Sequence, residues 1–321
     1  MKQTGMKRPH LAISSLIPCL LLLGCSPDAV YTSVEDLVFE DAVFRDCVIS
    51  EARENGWIDA GHVQKVHCVN PTDRKISSLS GIERLKNIRE LDLAHNAITD
   101  LSPLASLNKL ERLNLDDNLI SQIADGISRV TITHLSLDHN MIRDINMISM
   151  FHNLEVLNLA SNRINDITSL PPKHSLQVLN LNQNDISDIS ALESLQKLRE
   201  LDIGNNKIKG LSALGNLTQL EHLYLNNNHI NDLTPLSGLS ELREIDLSSN
   251  ELKSIEPLIV LENVWRLTLD NNQIESIEPL LNFSELELIS IKGVENLSCE
   301  TITQLIEEVG EGVVIMDDYC L

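Results

Sequence analysis

Positive charge is what this sequence is short of: 25 Lys and Arg stand against 47 Asp and Glu, a formal charge of −22. Three of the basic residues, Lys2, Lys7 and Arg8, sit at the extreme start, so the rest is more acidic still. A surface of that sign repels nucleic acid and anionic lipid heads. A cationic protein partner suits it better, and plain solubility explains much of the charge. Aromatics are scarce too, with two Trp, three Tyr and four Phe, which leaves a thin platform for stacking sugars. The one long apolar run, "LAISSLIPCLLLLG", falls short of the ~20 residues of a membrane span and contains a proline. Catalytic signatures are missing as well. There is no serine in a strained nucleophile turn, no glycine loop to cradle phosphate and no close His-Glu-His spacing. The expectation is a chain that is not an enzyme and uses no cofactor.

What the sequence has in abundance is leucine and asparagine in register. The stretch "LEHLYLNNNHI", Leu220 to Ile230, sets three asparagines inside an apolar phrase, although asparagine favours neither strand nor helix. The phrase returns twenty-two residues away on either side, as "LRELDIGNNKI" and "LREIDLSSNEL". Its last asparagine falls at Asn96, Asn118, Asn140, Asn162, Asn184, Asn206, Asn228, Asn250 and Asn272, with no insertion. A period of this kind fixes the architecture before any local reading does. The L-x-L alternation reads as a short strand with one buried face. The later apolar positions, Ile230, Leu233, Leu236 and Leu239 in this unit, line the inside of the returning coil.

The pattern L-x-x-L-x-L-x-x-N-x-I/L resembles the leucine-rich repeat family, in its 22-residue class, which includes the internalins and a eukaryotic phosphatase regulator. The resemblance spans about two-thirds of the chain. It implies an α/β leucine-rich-repeat solenoid, a curved right-handed coil with a parallel sheet on its concave face. It also implies that the last asparagine of each phrase points inward, bonds backbone groups where the strand turns and stacks with its neighbours into a ladder, while Asn226 and Asn227 face out.

The ends depart from the repeat. The basic start and apolar run finish in Leu22-Leu23-Gly24-Cys25, which resembles a bacterial lipobox; the resemblance implies cleavage before Cys25 and its acylation. Ser26, where inner-membrane retention usually needs aspartate, implies export to the outer membrane of a Gram-negative envelope. Four further cysteines pair by position, Cys47 with Cys68 and Cys299 with Cys320. In an exported chain even pairing points to disulfides, whereas a metal site needs more ligands and closer spacing. Apolar residues at helical spacing from Phe39 to Asn55 predict a capping helix stopped by Asn55-Gly56, and Ser298 to Gly310 a second one followed by the strand "VVIM". The expected segments are a leader (1–24), a tether (25–37), an N-terminal cap (38–70), repeats (71–294) and a disulfide-linked C-terminal cap (295–321). The repeat is least regular around Gly126 to Arg129 and at Lys173.

Three outward columns run along the concave sheet at about 4.8 Å per rung. The first holds Glu90, Arg112, His134, Val156, Val178, Glu200, His222, Glu244, Arg266 and Leu288. The middle one holds Asp92, Asn114, Ser136, Asn158, Asn180, Asp202, Tyr224, Asp246, Thr268 and Ser290. The third runs through Asp116, Asp138, Asn182, Gly204 and Asn226. Against so few aromatics, His222, Tyr224, Trp265 and Arg266 stand out, because Tyr, Trp and Arg are the usual interface anchors. A weaker candidate is His95, Asp117 and His139 on three successive rungs, donors of a type that suits a divalent cation. The expected function is a monomeric, lipid-anchored protein-binding module on the bacterial envelope, using its concave face. The internalin resemblance implies adhesion or host interaction. A periplasmic or outer-membrane assembly role, and recognition of a glycan or small ligand, are the alternatives.

Overall fold

The computed structural model describes residues 32–70, 73–123, 131–168, 170, 175–295, 297–310 and 312–317. The leader, Cys25, Cys320, and the irregular stretches around Gly126 to Arg129 and at Lys173 lie outside the described residues. Residues from Thr32 onward form one compact unit.

Twelve short strands make a single parallel sheet in chain order. They are β1 (Lys65–His67), β2 (Glu90–Asp92), β3 (Arg112–Asn114), β4 (His134–Ser136), β5 (Val156–Asn158), β6 (Val178–Asn180), β7 (Glu200–Asp202), β8 (His222–Tyr224), β9 (Glu244–Asp246), β10 (Arg266–Thr268), β11 (Leu288–Ser290) and β12 (Val314–Ile315). Pairing is in strict register, so Leu91, Leu113, Leu135 and their successors stack in one inward column. Among the described residues the coils return through short turns, most of them 3-10. Asp100, Asp144, Asp166, Asp188 and Asp232 open these turns by accepting the N–H two residues on, at 2.7–2.9 Å. Pro103, Pro235, Pro257 and Pro279 sit in the first residues of their turns, where a missing N–H costs nothing.

The inner asparagines hold successive coils together. Asn228 Nδ2 donates to Leu225 O and Asn226 O in its own coil and to Ile203 O in the coil before, while its Oδ1 accepts from Ile208 N at 2.9 Å. The same four bonds recur from Asn118 to Asn272. The inner amides therefore bond backbone rather than one another; among the described residues, only Asn70 and Asn96 join amide to amide in this column. The residue just before each ladder asparagine is left-handed, with φ between 50° and 60° at His95, Asp117, His139, Ser161, Gln183, Asn205, Asn227, Ser249 and Asn271. Asn, Asp and His tolerate that conformation best among side-chain-bearing residues. The middle asparagine of Asn226-Asn227-Asn228 is thus a backbone requirement, and its Nδ2 also donates to Asn205 Oδ1 at 3.0 Å. After Asn272 the ladder stops: Gly293 takes the left-handed place and Val294, fully buried, takes the asparagine's.

Helix α1 (Ala42–Glu54) covers the first rung. It begins three residues later than the apolar spacing suggests, because Asp41 caps it, accepting from Val43 N and Phe44 N. Phe39 lies outside the helix and meets Phe44 edge-on, ring centres 5.2 Å apart. The other Asp41 oxygen accepts from Ser77 N, fastening the cap to the first repeat. Residues 32–37, placed in the tether by sequence, are packed: Val34 and Leu37 are buried and Val34 N donates to Ile58 O. Cys47 and Cys68 form a disulfide across this junction, Cα atoms 5.9 Å apart. At the far end α2 (Cys299–Val309), capped by Ser298, buries Ile302 and Leu305, and β12 adds the last strand. Cys299 is disulfide-bonded.

Two outcomes follow. Asn228→Ala strands buried backbone groups in two coils and should cost about 3 kcal/mol or more in urea denaturation, whereas Asn227→Gly, which suits φ 54°, should cost under about 1 kcal/mol. Equal losses would deny the ladder its role. For Asp41, burial pushes the carboxyl up, but the bonds from Ser77, Phe44 and Val43 together hold it below the ordinary range. A depressed folded value stabilises above the unfolded one and is lost as pH falls through it. Asp41→Ala should therefore cost about 1–2 kcal/mol at pH ~7, and the two proteins should converge below pH ~3. A gap independent of pH would show that the carboxylate is not its source.

Candidate binding surface

The middle column of the concave sheet does structural work before it does anything else. Asp92, Asn114, Asn158, Asn180, Asp202 and Asp246 each accept, through Oδ1, the N–H two residues further on. This braces the chain as it leaves the strand. Where serine stands in the column, an aspartate of the preceding rung substitutes. Asp116 Oδ1 accepts from Asp138 N and from Ser136 Oγ, and Asp270 Oδ1 accepts from Lys292 N. Burial raises the Asp116 and Asp202 carboxyls above their ordinary range despite these bonds. Much of the acidity of this face is therefore engaged in holding the backbone.

Rung β8 has neither device: Tyr224 fills the column and Gly204 lies in the rung before it. A Cβ on Gly204 would come within 2.3 Å of Asn226 Oδ1 and 2.9 Å of Asn182 Nδ2, so these amides need the space. Around Tyr224 the structure gathers His222 and Arg266 about one carboxylate, Glu244, whose side chain is only 15% exposed. Arg266 Nη1 is 3.1 Å from Glu244 Oε1, and His222 Nδ1 lies 3.5 Å from Oε2. That second contact is not a hydrogen bond, and the buried His222 Nδ1 has no hydrogen-bond partner among the described residues. Burial, then the Glu244 and Glu200 carboxylates, push the Tyr224 phenol up to about 12. It stays protonated, a neutral donor in a negative setting.

Trp265 is not part of this group. It precedes β10, outside the alternating strand, and faces a flank depression with Arg243, Glu262, Asn263, Glu285 and Glu287. Glu244 is the member that sequence reasoning missed. One more glutamate in so acidic a chain gives no signal, and only its place between His222 and Arg266 in the first column points to it. Further along, residues from Glu90 to Glu200 line a groove of about 420 Å³ over β2 to β7.

His95, Asp117 and His139 are brought to successive rungs but do not converge. His95 Nδ1 lies 3.1 Å from Asp117 Oδ2, whereas His139 Nδ1 turns to Asp138 Oδ1 at 2.9 Å. Among the described residues there is no group of three or more metal-capable side chains. Their identity follows from the backbone, since all three occupy the left-handed position.

The family profile of leucine-rich repeats in pairs matches four consecutive stretches, residues 86–128, 130–172, 174–216 and 218–260. An internalin of Listeria monocytogenes, InlF, is similar in structure with a TM-score of 0.71 at 25% identity, over 91% of this chain and 95% of that one. The functional domain of InlJ, also from Listeria monocytogenes, gives 0.65 at 21% identity over 85% of this chain and 64% of its own. A plant peptide hormone receptor, RGFR1, solved in complex with RGF2, gives 0.57 at 21% identity over 74% and 47%. These last two are likenesses of fold. No curated protein sequence matches the chain. The repeat profile covers more than half of the residues, and each inner asparagine bonds its own coil to the one before; the chain belongs to the leucine-rich repeat proteins.

Proposed function

We propose that this chain is a non-enzymatic protein-binding module of the bacterial envelope, anchored by acylation of Cys25 and meeting its partner with the concave sheet. The observation that carries the reading is the cluster at β8 to β10. Tyr224, Arg266 and His222 surround a nearly buried carboxylate at the one rung where Tyr224 replaces the backbone brace. Aromatic and guanidinium groups held rigidly in a partly dry setting are what dominate binding energy at protein interfaces. A stacked solenoid presents them with little entropy left to lose. The fold neighbours support a polypeptide partner, one of them being a peptide hormone receptor. The InlF likeness at 25% identity supports membership of the 22-residue class and an internalin-like role toward other cells.

No helix among the described residues is long and apolar enough to cross a membrane. Anchorage therefore rests on the lipobox at Leu22 to Cys25, and Ser26 directs the protein to the outer membrane. Monomers suffice, since the concave face lies within one chain.

A photo-crosslinking residue placed at 224 on living cells should capture a protein, and one at the exposed convex Glu193 should not. Tyr224→Ala should weaken that partner by about 2 kcal/mol or more, and Cys25→Ser should abolish acyl labelling and release the protein from membranes. Capture from 193 alone would place the interface on the wrong face.

A further inference from the structure

Over β3 to β7 the brace decides what the middle column can offer a ligand. Asn114, Asn158 and Asn180 each commit Oδ1 to the backbone. What remains for the groove is Nδ2, a donor. Asn158 Nδ2 is taken by Ser136 Oγ at 3.2 Å. Asn114 and Asn180, both half-buried, have no partner for Nδ2 among the described residues. They stand three rungs apart, about 14 Å at the usual strand spacing. Four residues of extended chain cover about the same distance, and residues four apart turn the same side of the chain to one surface. Two lone amide donors at that separation match two carbonyl oxygens of an extended peptide crossing the sheet.

The first column supplies the rest. Val156 and Val178 are direct strand partners, both partly exposed, and form an apolar pair beside the amide row. Arg112 lies on one side of them and Glu200 on the other, neither in an ion pair among the described residues. Asp202 adjoins Glu200 in the middle column, with Oδ1 on Asn182 Nδ2 and Gly204 N. At the far end Glu90 is engaged by Lys65 at 2.7 Å and faces His67 at 3.3 Å, while Asp92 Oδ1 and Asp116 Oδ1 are committed to backbone N–H groups. The charge left for a ligand is therefore ordered: positive at β3, apolar at β5 and β6, negative at β7.

We infer that this groove holds an extended peptide segment lying across the strands. Its carbonyls four residues apart meet Asn114 and Asn180, an apolar side chain covers Val156 and Val178, and a lysine or arginine reaches Glu200 and Asp202. The inference rests on the concave face being the protein-binding surface, and adds the form and charge order of what binds. Arg112 repels a second basic group at the other end, so the basic side chain belongs at β7.

The probe is a random-peptide library displayed on phage and selected on the detergent-solubilised full-length protein. Selection should enrich an apolar residue followed closely by Lys or Arg. Asn180→Asp keeps the brace oxygen but removes the donor, and should weaken the best peptide by about tenfold or more. Glu200→Lys should switch the selected residue from basic to acidic, an effect that altered stability cannot imitate. Asn114→Asp substitutes for the first variant if its melting curve shows misfolding. Enriched peptides indifferent to both changes would overturn the groove assignment. So would binding on a glycan array that is lost in Asn180→Asp while no peptide is enriched, which would make this a sugar site. Failure to enrich any peptide, with crosslinking at 224 still capturing a protein, overturns the peptide segment and leaves the concave-face reading intact. Failure of both removes both.

Discussion

A strand of three residues that must leave its sheet at once creates a problem which one asparagine per coil solves. At the turn the carbonyls of the last strand residues lose their partners, and they do so in the core, where an unpaired carbonyl is costly. Asparagine brings two N–H donors and one acceptor on a short stem. In Asn228 the donors satisfy three carbonyls and the acceptor takes Ile208 N–H. Aspartate has no donor to give, and glutamine is a methylene too long. Because two of the four bonds reach into the preceding coil, no coil is complete alone. That makes the structure linear in its cooperativity and explains why its ends need dedicated covers.

The same constraint spreads outward. Bringing the asparagine inward requires the residue before it to be left-handed, and six of the nine side-chain-bearing residues there are Asn, Asp or His. The strand's exit must also be braced, which draws Asp and Asn into the middle column of the concave face. The middle column and the left-handed position, both of which look available for recognition, thus have prior duties. The formal charge of −22 overstates how much negative charge the face can offer a partner.

This bears on what the sequence could reveal. The strands, the inner asparagines and the cap helices were legible because each is a periodic or terminal signal: L-x-L for β8, Asn228 on its period, Ser298 before α2. The left-handed column was not, because a residue chosen for its φ looks like any polar residue; His95, Asp117 and His139 therefore read as ligands. Trp265 stands out by residue type alone, since it belongs to none of the outward columns; it precedes β10, and only the structure shows that it faces a flank depression. The early end of the tether was hidden because Val34 and Leu37 are only two apolar residues in a short polar run. They pack in the same apolar core as residues far along the chain, and Val34 N is held by Ile58 O, twenty-four positions away.

The groups left free of backbone duty are then those of the first column, and those at rungs where the middle column is released from the brace. Rung β8 is one of these. There Gly204 leaves room for the Asn182 and Asn226 amides, and Tyr224 occupies a place that elsewhere belongs to Asp, Asn, Ser or Thr. Its phenol lies beside Glu244, the same carboxylate that Arg266 Nη1 meets at 3.1 Å. A binding surface on a repeat protein needs such an interruption: where every rung satisfies the same backbone rule, it presents the same groups, and only a rung relieved of the rule can present something a partner distinguishes.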